Sequence, residues 1–326
     1  MARPAAGPPM LERWLVAHTR LALAASAVIA VSGLAYAEFP ITTQLVLLAA
    51  LVAVLGLPHG AVDHWQGRTL LAGQLGAAWP LAFGAGYLAT TALVVLAWVS
   101  CPPLLLVGFL LLAAGHFGSE DVMARPAIRD AGPLGRSADI ALRGSLPVLL
   151  PLGFHPGETA GLFAALMPGT TAAELDPLLN AMALFSPVYF AVLGGWLVVA
   201  TINREPLTGA EIAVHTATFA VLPPLLAFST YFCLWHSPRH SLMVIAEAGH
   251  TDLAAGVKRF VRDALLLTGL TIAGGAAAFY ILQERFSSAE ATLQVVFVGL
   301  AALTLPHVLL PLMRRYRRAG SEGLQG

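Results

Sequence analysis

The sequence predicts an all-α fold, a polytopic bundle of transmembrane helices. Of its 326 residues, 57% are apolar and only 11% are Asp, Glu, Lys or Arg, less than half of the roughly 25% found in soluble domains. Several windows of about 20 residues are predominantly apolar, which is the length that a helix needs to cross the hydrocarbon core of a bilayer. A water-soluble globule with an ordinary surface is therefore excluded.

Eight windows meet this criterion, and each is nearly free of charge. They are residues 16–37, 42–62, 76–99, 102–122, 180–202, 211–235, 263–282 and 291–313. The first window has no convincing cleavage pattern and is followed by seven others, so we interpret it as a span rather than as a signal peptide. The stretch 138–178 forms either two broken crossings, which gives ten spans, or one re-entrant element. Without an internal repeat or a linker, residues 1–326 are expected to form one integral membrane domain.

The arginines of the short loops predict the orientation in the membrane. They lie in the amino-terminal segment, in the 123–137 loop and in the carboxy-terminal segment: Arg3, Arg13, Arg125, Arg129, Arg136, Arg314, Arg315, Arg317 and Arg318. Because cytoplasmic loops carry an excess of Lys and Arg, we expect both termini to be cytoplasmic. The chain is then a multi-pass protein of the cell (inner) membrane.

Charge and cysteine content exclude several classes of function. The 18 basic and 18 acidic residues balance, so the chain lacks the basic surface that nucleic acid requires, and nucleic acid is not expected as a partner. Cys101 and Cys233 lie in apolar stretches without a C-x-x-C spacing, which argues against a disulfide framework, an iron–sulfur cluster or a thiolate zinc site. Any metal would have to be bound by His and carboxylate side chains.

Histidines within the apolar windows indicate a functional site, because an ionisable side chain is expensive at membrane depth. Four motifs stand out among the ten histidines of the chain. They are GLPHGAVDH around His59, AAGHFGSED around His116, YFCLWHSPRH with His236 and His240, and LTLPHVLL around His307. The predicted topology places the first, second and fourth motifs toward the cytoplasmic side. The third joins them if the stretch 138–178 crosses the membrane an even number of times.

The third motif carries two histidines four residues apart, the spacing that puts two side chains on one face of a helix. Such a pair suits a shared metal ion. Pro238 weakens strict helicity at His236, although proline is tolerated in the first turn of a helix. Neutral imidazole binds Zn, Cu and Fe, and a site with an open position is compatible with oxygen chemistry at Fe(II). Four imidazoles alone do not name the metal.

Three carboxylates near these motifs are candidates to orient the histidines. Asp63 follows His59 by four residues, and Glu120 and Asp121 follow His116 by four and five. A carboxylate can accept the free ring N–H of a ligand histidine and fix its tautomer, but these residues could equally be helix-end charges that face water. Arg239 is a candidate partner for one of them.

Purely structural roles remain open for the histidines and for the aromatic residues. A single histidine in a membrane helix can serve as an interhelical hydrogen-bonding group. For five histidines we expect an interfacial or solvated role: His18, His64, His155, His215 and His250. Phe117, Tyr231 and Trp235 lie near the motifs and could line a hydrophobic slot for a long apolar substrate, although core packing is the commoner use of such residues.

Taken together, the four motifs resemble the Brp/Blh family of membrane-bound β-carotene 15,15'-dioxygenases. They match the pattern of that family in order and approximate spacing from about residue 50 to 312, the family-like core. The resemblance implies oxidative cleavage of the central double bond of β-carotene to two retinal molecules by a non-haem iron, Fe(2+). It places the iron ligands at His59, His116, His236 and His240, and His307 matches a further motif as a candidate additional ligand.

The resemblance also implies the partners, and two other classes of membrane protein remain as alternatives. The partners are β-carotene or a related carotenoid, O2, the lipid bilayer and a rhodopsin-type protein that receives the retinal. A lipid desaturase or hydroxylase with two irons needs about twice as many clustered histidines. A haem-binding electron-transfer protein would use paired histidines on facing helices. A transporter is disfavoured, because the hydropathy shows no two matching halves with broken helices.

Overall fold

The computed structural model describes residues 9–35, 39–125, 132–170 and 172–322. Within these ranges every regular element is helical, which confirms the predicted all-α fold. Arg3 and Arg129, two of the arginines on which the predicted orientation depends, lie outside the described residues.

We number the α-helices of the described residues from α1 to α14. They are α1 Pro9–Leu34, α2 Ile41–Leu51, α3 Leu57–Ala61, α4 Asp63–Leu75, α5 Trp79–Ser100, α6 Pro102–Met123, α7 Pro133–Phe154, α8 Pro156–Leu166, α9 Ala172–Ile202, α10 Pro206–Val221, α11 Pro224–Thr230, α12 Ser237–Glu247, α13 Leu253–Leu282 and α14 Ser288–Glu322. Proline is the first residue of α6, α7, α8, α10 and α11. Its fixed φ and missing N–H suit the first turn of a helix, where the N–H would have no intrahelical partner.

Among the described residues, two short π-helices interrupt the regular α-helices. The first, Val52–Gly56, joins α2 to α3, and the second, Tyr231–His236, joins α11 to α12. Each lies directly before or within a histidine motif. A π-turn inserts an extra residue into a helix and often occurs at functional sites.

Six helical runs among the described residues are long and apolar enough to cross a membrane. They are Met10–Leu34, Ile41–Ser100, Pro102–Met123, Glu174–Ile202, Leu253–Leu282 and Ser288–Arg317. The 60-residue run Ile41–Ser100 holds two of the predicted windows, since about 20 residues suffice for one crossing. These helices are compatible with a membrane protein.

Two of the predicted regions differ in detail from the structure. The window 211–235 is not one continuous helix, because α10 ends at Val221, Leu222 is extended and α11 begins only after Pro223. Proline restricts the residue before it to extended conformations, which explains the break. The doubtful stretch 138–178 contains most of α7, all of α8 and the start of α9, and α7 and α8 are not among the candidate spans.

The chain divides into two compact units. The first unit consists of Met1–Gly56 and Leu110–Thr251, and the second of Leu57–Phe109 and Asp252–Gly326. In the first unit, α1 packs against α10, α12 and the second π-helix, while α7 packs against α8, α9 and α10. In the second unit, α14 packs against α4, α5 and α13, and α13 packs against α3.

A close helix contact places α6 against α7 within the first unit. A Cβ atom on Gly144 would overlap the backbone carbonyl of Ala114, and one on Gly118 would overlap that of Ile140. The two helices can therefore approach this closely only because both positions are glycine, as is common for helices packed in membranes. Since α6 also carries His116, this contact fixes the position of one candidate ligand.

Candidate functional site

Three of the predicted ligands meet in the first unit. His116 comes from α6, His236 ends the second π-helix and His240 lies in the first turn and a half of α12. The ring centroids of His116 and His236 are 4.9 Å apart, and His240 lies 6.2 Å from His116 and 6.3 Å from His236. All three side chains are buried. The structure thus brings together the second and third motifs.

His236 and His240, four residues apart, present their side chains on one face of the helical segment, as the sequence predicts. The rings of His236 and His240 are nearly parallel, with an interplanar angle of 22°, because side chains four residues apart lie on one face of a helix. Pro238 occupies the first turn of α12, where its missing N–H is tolerated.

Glu120 orients one of these imidazoles. Its Oε2 lies 2.9 Å from Nδ1 of His240, and both side chains are buried. An ionised carboxylate can only accept, so in a neutral imidazole paired with it Nδ1 carries the hydrogen and Nε2 carries the lone pair. This is the arrangement in which a carboxylate fixes the tautomer of a histidine and leaves its other nitrogen able to bind a metal.

Asp121, unlike Glu120, does not bond to a histidine of the cluster in the hydrogen bonds that the structure shows. Its carboxylate accepts hydrogen bonds from Nε1 of Trp235, at 3.1 and 3.2 Å, and from Nη1 of Arg239, at 3.2 Å. The prediction that Arg239 pairs with a nearby carboxylate agrees with this contact. Asp121 therefore holds an indole and a guanidinium rather than an imidazole.

The predicted slot residues lie beside the histidine cluster and are all buried. The ring of Phe117 packs 4.6 Å from that of His236 and 5.6 Å from that of Tyr231. Trp235 stacks under the guanidinium of Arg239 at 3.8 Å. Phe117 thus packs against the imidazole of His236 and Tyr231 packs behind Phe117, whereas Trp235 belongs to a charged network.

The remaining two motifs form a second cluster within the second unit. The rings of His59 and His307 meet edge to face with centroids 5.3 Å apart. Nδ1 of His307 donates to the buried carboxylate of Asp63 at 2.9 Å, and the hydroxyl of Tyr87 donates to the same carboxylate at 3.0 Å. Sequence reasoning did not identify Tyr87, although a tyrosine in the middle of the apolar window 76–99 was the available signal.

Two of the histidines expected to be interfacial or solvated, His18 and His155, are partly buried and bond to backbone carbonyls. Nε2 of His18 donates to the carbonyl of Leu234 at 3.0 Å, four residues before Pro238. Nε2 of His155 donates to the carbonyl of Phe219 at 2.9 Å, four residues before Pro223. In each case the proline has no N–H to offer to the carbonyl four residues earlier, and the histidine replaces it.

For His215 the expectation of an interfacial or solvated position is wrong. It is 2% exposed, and its ring packs 4.7 Å from that of Trp235 and 5.2 Å from that of Tyr231. It is thus a core residue of the first unit.

Comparison with known proteins identifies the family. Residues 50–313 match the family described as Beta-carotene 15,15'-dioxygenase. The chain belongs to this family. Members that resemble it include the Beta-carotene 15,15'-dioxygenase of an uncultured marine bacterium, 66A03, which is 32% identical over 80% of this chain and 90% of its own length. The Probable beta-carotene 15,15'-dioxygenase Blh of Halobacterium salinarum is 29% identical over 91% of both chains. No solved structure matches the chain.

Membership of this dioxygenase family suggests a metal cofactor, and the donor set has the chemistry to bind one. Neutral imidazoles with a carboxylate behind them, as at Glu120 and His240, suit a first-row transition metal. Among the residues that the structure describes, however, no set of three or more His, Cys, Asp or Glu side chains already stands in the geometry of a metal site.

Proposed function

We propose that this chain cleaves β-carotene at its central 15,15' double bond and releases two molecules of retinal. The family match over residues 50–313 carries this proposal. The carbon–carbon double bond breaks, and each of its two carbons becomes the carbon of an aldehyde. Dioxygen is the oxidant.

Iron(II) is the proposed cofactor, with His59, His116, His236 and His240 as its ligands. The buried cluster of His116, His236 and His240 supports three of these ligands, and the hydrogen bond from His240 to Glu120 supports the tautomer that binding requires. His59 enters the proposal through its motif, and His307 is a candidate additional ligand. When bound, Fe(II) supplies the oxygen-activating chemistry that amino acid side chains lack.

The residues of the chain position the substrate and exclude water. Phe117 presents a buried aromatic ring beside His236, and Tyr231 presents another beside Phe117; such rings suit a conjugated polyene. A substrate that is itself a hydrocarbon can enter from the lipid without visiting water. We therefore propose that the protein mainly holds the middle of the polyene at a fixed place.

The proposed setting is the cell (inner) membrane, with both termini in the cytoplasm. The apolar helices support a place in the bilayer, and the arginine-rich ends support the orientation. The retinal would be passed to a rhodopsin-type protein.

Expression in a host that accumulates β-carotene tests the proposed function. We expect the orange colour to fade and retinal to appear in extracts, and we expect a His116→Ala variant produced at the same level to leave the colour unchanged. Colour retained with folded wild-type protein contradicts the proposed substrate. Full activity of purified protein after rigorous removal of iron contradicts the proposed cofactor.

A further inference from the structure

Arg239 sits at the centre of a buried network that joins four helices of the first unit. Its guanidinium contacts Asp121 of α6 at 3.2 Å, Thr19 of α1 at 2.8 Å and Glu211 of α10 at 3.6 Å, and it stacks on the ring of Trp235 at 3.8 Å. The side chain of Arg239 is 2% exposed. The planar fork of arginine can make these contacts together, whereas the single ammonium of lysine cannot.

The position of Arg239 in the sequence links this network to the histidines. It directly precedes His240, and Trp235 directly precedes His236. The side chains of this helical segment therefore form two parallel rows. The arginine row consists of Trp235 and Arg239, and the imidazole row consists of His236 and His240.

Consecutive carboxylates of α6 contact these two rows. Glu120 bonds to His240 of the imidazole row, and Asp121 bonds to Arg239 and Trp235 of the other row. Since α6 also carries His116 four residues earlier, the two contacts fix the register of α6 against the segment with His236 and His240. A shift of one residue along either helix would break both contacts.

A buried ion network is weak evidence for stability, because removing charges from water opposes their mutual attraction. Such networks can instead fix one arrangement among several with similar packing. Two further arginines, Arg125 and Arg143, also pair with Glu211. Arg143 of α7 lies 2.8 Å from the Glu211 carboxylate and stacks on Trp196 at 4.7 Å. Arg143 thus shares the charge environment of Arg239 but contacts neither row.

We propose that Arg239, held by Asp121 and Trp235, is a positioning residue that sets the placement of His236 and His240 relative to His116. This proposal rests on the proposed function, in which these three histidines bind a metal. It predicts that Arg239 governs metal affinity and coordination geometry beyond any effect on folding.

Titration of the full-length protein in detergent with Co(II), against a competing chelator, tests this role. For Arg239→Lys we expect binding about 10- to 100-fold weaker than in the wild type, the usual range when a residue behind the ligands is lost, together with displaced visible bands of bound Co(II). The matched control is Arg143→Lys, another buried arginine of the same network. It should keep the wild-type affinity and spectrum even where its melting temperature falls.

The outcomes separate the positioning role from the proposed function. Wild-type affinity and spectrum in Arg239→Lys, or the same changes in Arg143→Lys, would overturn the positioning role alone. Wild-type binding by His240→Ala would overturn the ligand assignment instead. If Arg239→Lys does not fold, Asp121→Asn weakens the same contact from α6 with little change in shape and decides the question by the same two measurements.

Discussion

Within the part of the chain that the structure describes, two histidines lie at hydrogen-bond distance from a buried carboxylate. His240 donates to Glu120 and His307 donates to Asp63, each through Nδ1 at 2.9 Å. In both cases an ionised carboxylate favours the neutral tautomer with the hydrogen on Nδ1 and the lone pair on Nε2. The sequence indicated carboxylates near the motifs as candidate partners of the histidines, with helix-end charges as the alternative, but not which histidine each carboxylate contacts.

Replacement of Glu120 by glutamine tests this arrangement at the scale of one residue. The amide of Gln can donate as well as accept, so Nδ1 of His240 is no longer held as the protonated nitrogen. We expect Co(II) binding to the purified variant to weaken about 10- to 100-fold.

Glu290→Gln is the matched control, because Glu290 is an exposed carboxylate that bonds to Ser287 at the start of α14. It should bind Co(II) like the wild type. An unchanged dissociation constant for Glu120→Gln would show that the carboxylate does not prepare His240 for a metal.

At the scale of the helices, π-helices and proline breaks determine which side chains face one another. The second π-helix ends at His236 and the first lies just before α3, the short helix that carries His59. At Pro223 and Pro238 a carbonyl loses its intrahelical partner, and His155 and His18 supply the missing donor. These breaks rotate the following residues relative to an unbroken helix, so a plain helical pattern does not predict the facing side chains.

Substitution of Gly144 by alanine tests the contact between α6 and α7. The added Cβ would overlap the carbonyl of Ala114, so the helices must separate, and we expect a loss of about 1 to 3 kcal/mol in the free energy of unfolding. A lower midpoint of thermal denaturation in detergent measures this loss. Retinal production should fall as well, because Ala114 lies two residues before His116.

Gly161→Ala is the control for this prediction. Gly161 lies on an exposed part of α8, with nothing within 4 Å of the added Cβ, so the substitution should leave stability unchanged or raise it slightly. Equal midpoints for the two variants would argue against the close packing of α6 on α7.

At the scale of the whole molecule, apolar surface dominates. Large apolar side chains are exposed along many helices, and the most apolar 18-residue stretch of Leu253–Leu282 is 0% buried. Exposed apolar area of this extent exceeds what monomeric soluble proteins show and suits contact with lipid. The proposed orientation follows from the arginines rather than from this surface.

The two native cysteines offer a test of the orientation. Cys101, between α5 and α6, is exposed and Cys233 is buried. With a cytoplasmic amino terminus, the first three predicted spans place Cys101 on the outer face. We expect a membrane-impermeant maleimide to label the protein in spheroplasts and to fail with Cys101→Ser. Labelling that requires permeabilised membranes would reverse the proposed topology.

The sequence by itself determined the helical class, with helices apolar enough to cross a membrane, and it indicated the residue types of the candidate site. Both depend on local properties of the sequence. The apolar windows are long enough to span a bilayer, and the rarity of histidine within such windows identifies the motifs. It also anticipated the shared face of His236 and His240, because a spacing of four is a property of any helix.

Only the tertiary structure decided the partners of those residues. Glu120 and Asp121 are adjacent and chemically alike, yet one holds an imidazole and the other holds the guanidinium of Arg239. Tyr87 and Asp63 are hydrogen-bonded although they lie 24 residues apart in the sequence, and Asp63 and His307 are hydrogen-bonded although they lie 244 residues apart. Such pairings depend on how the interrupted helices pack and on how each helix is rotated about its axis. A local sequence pattern does not predict that rotation.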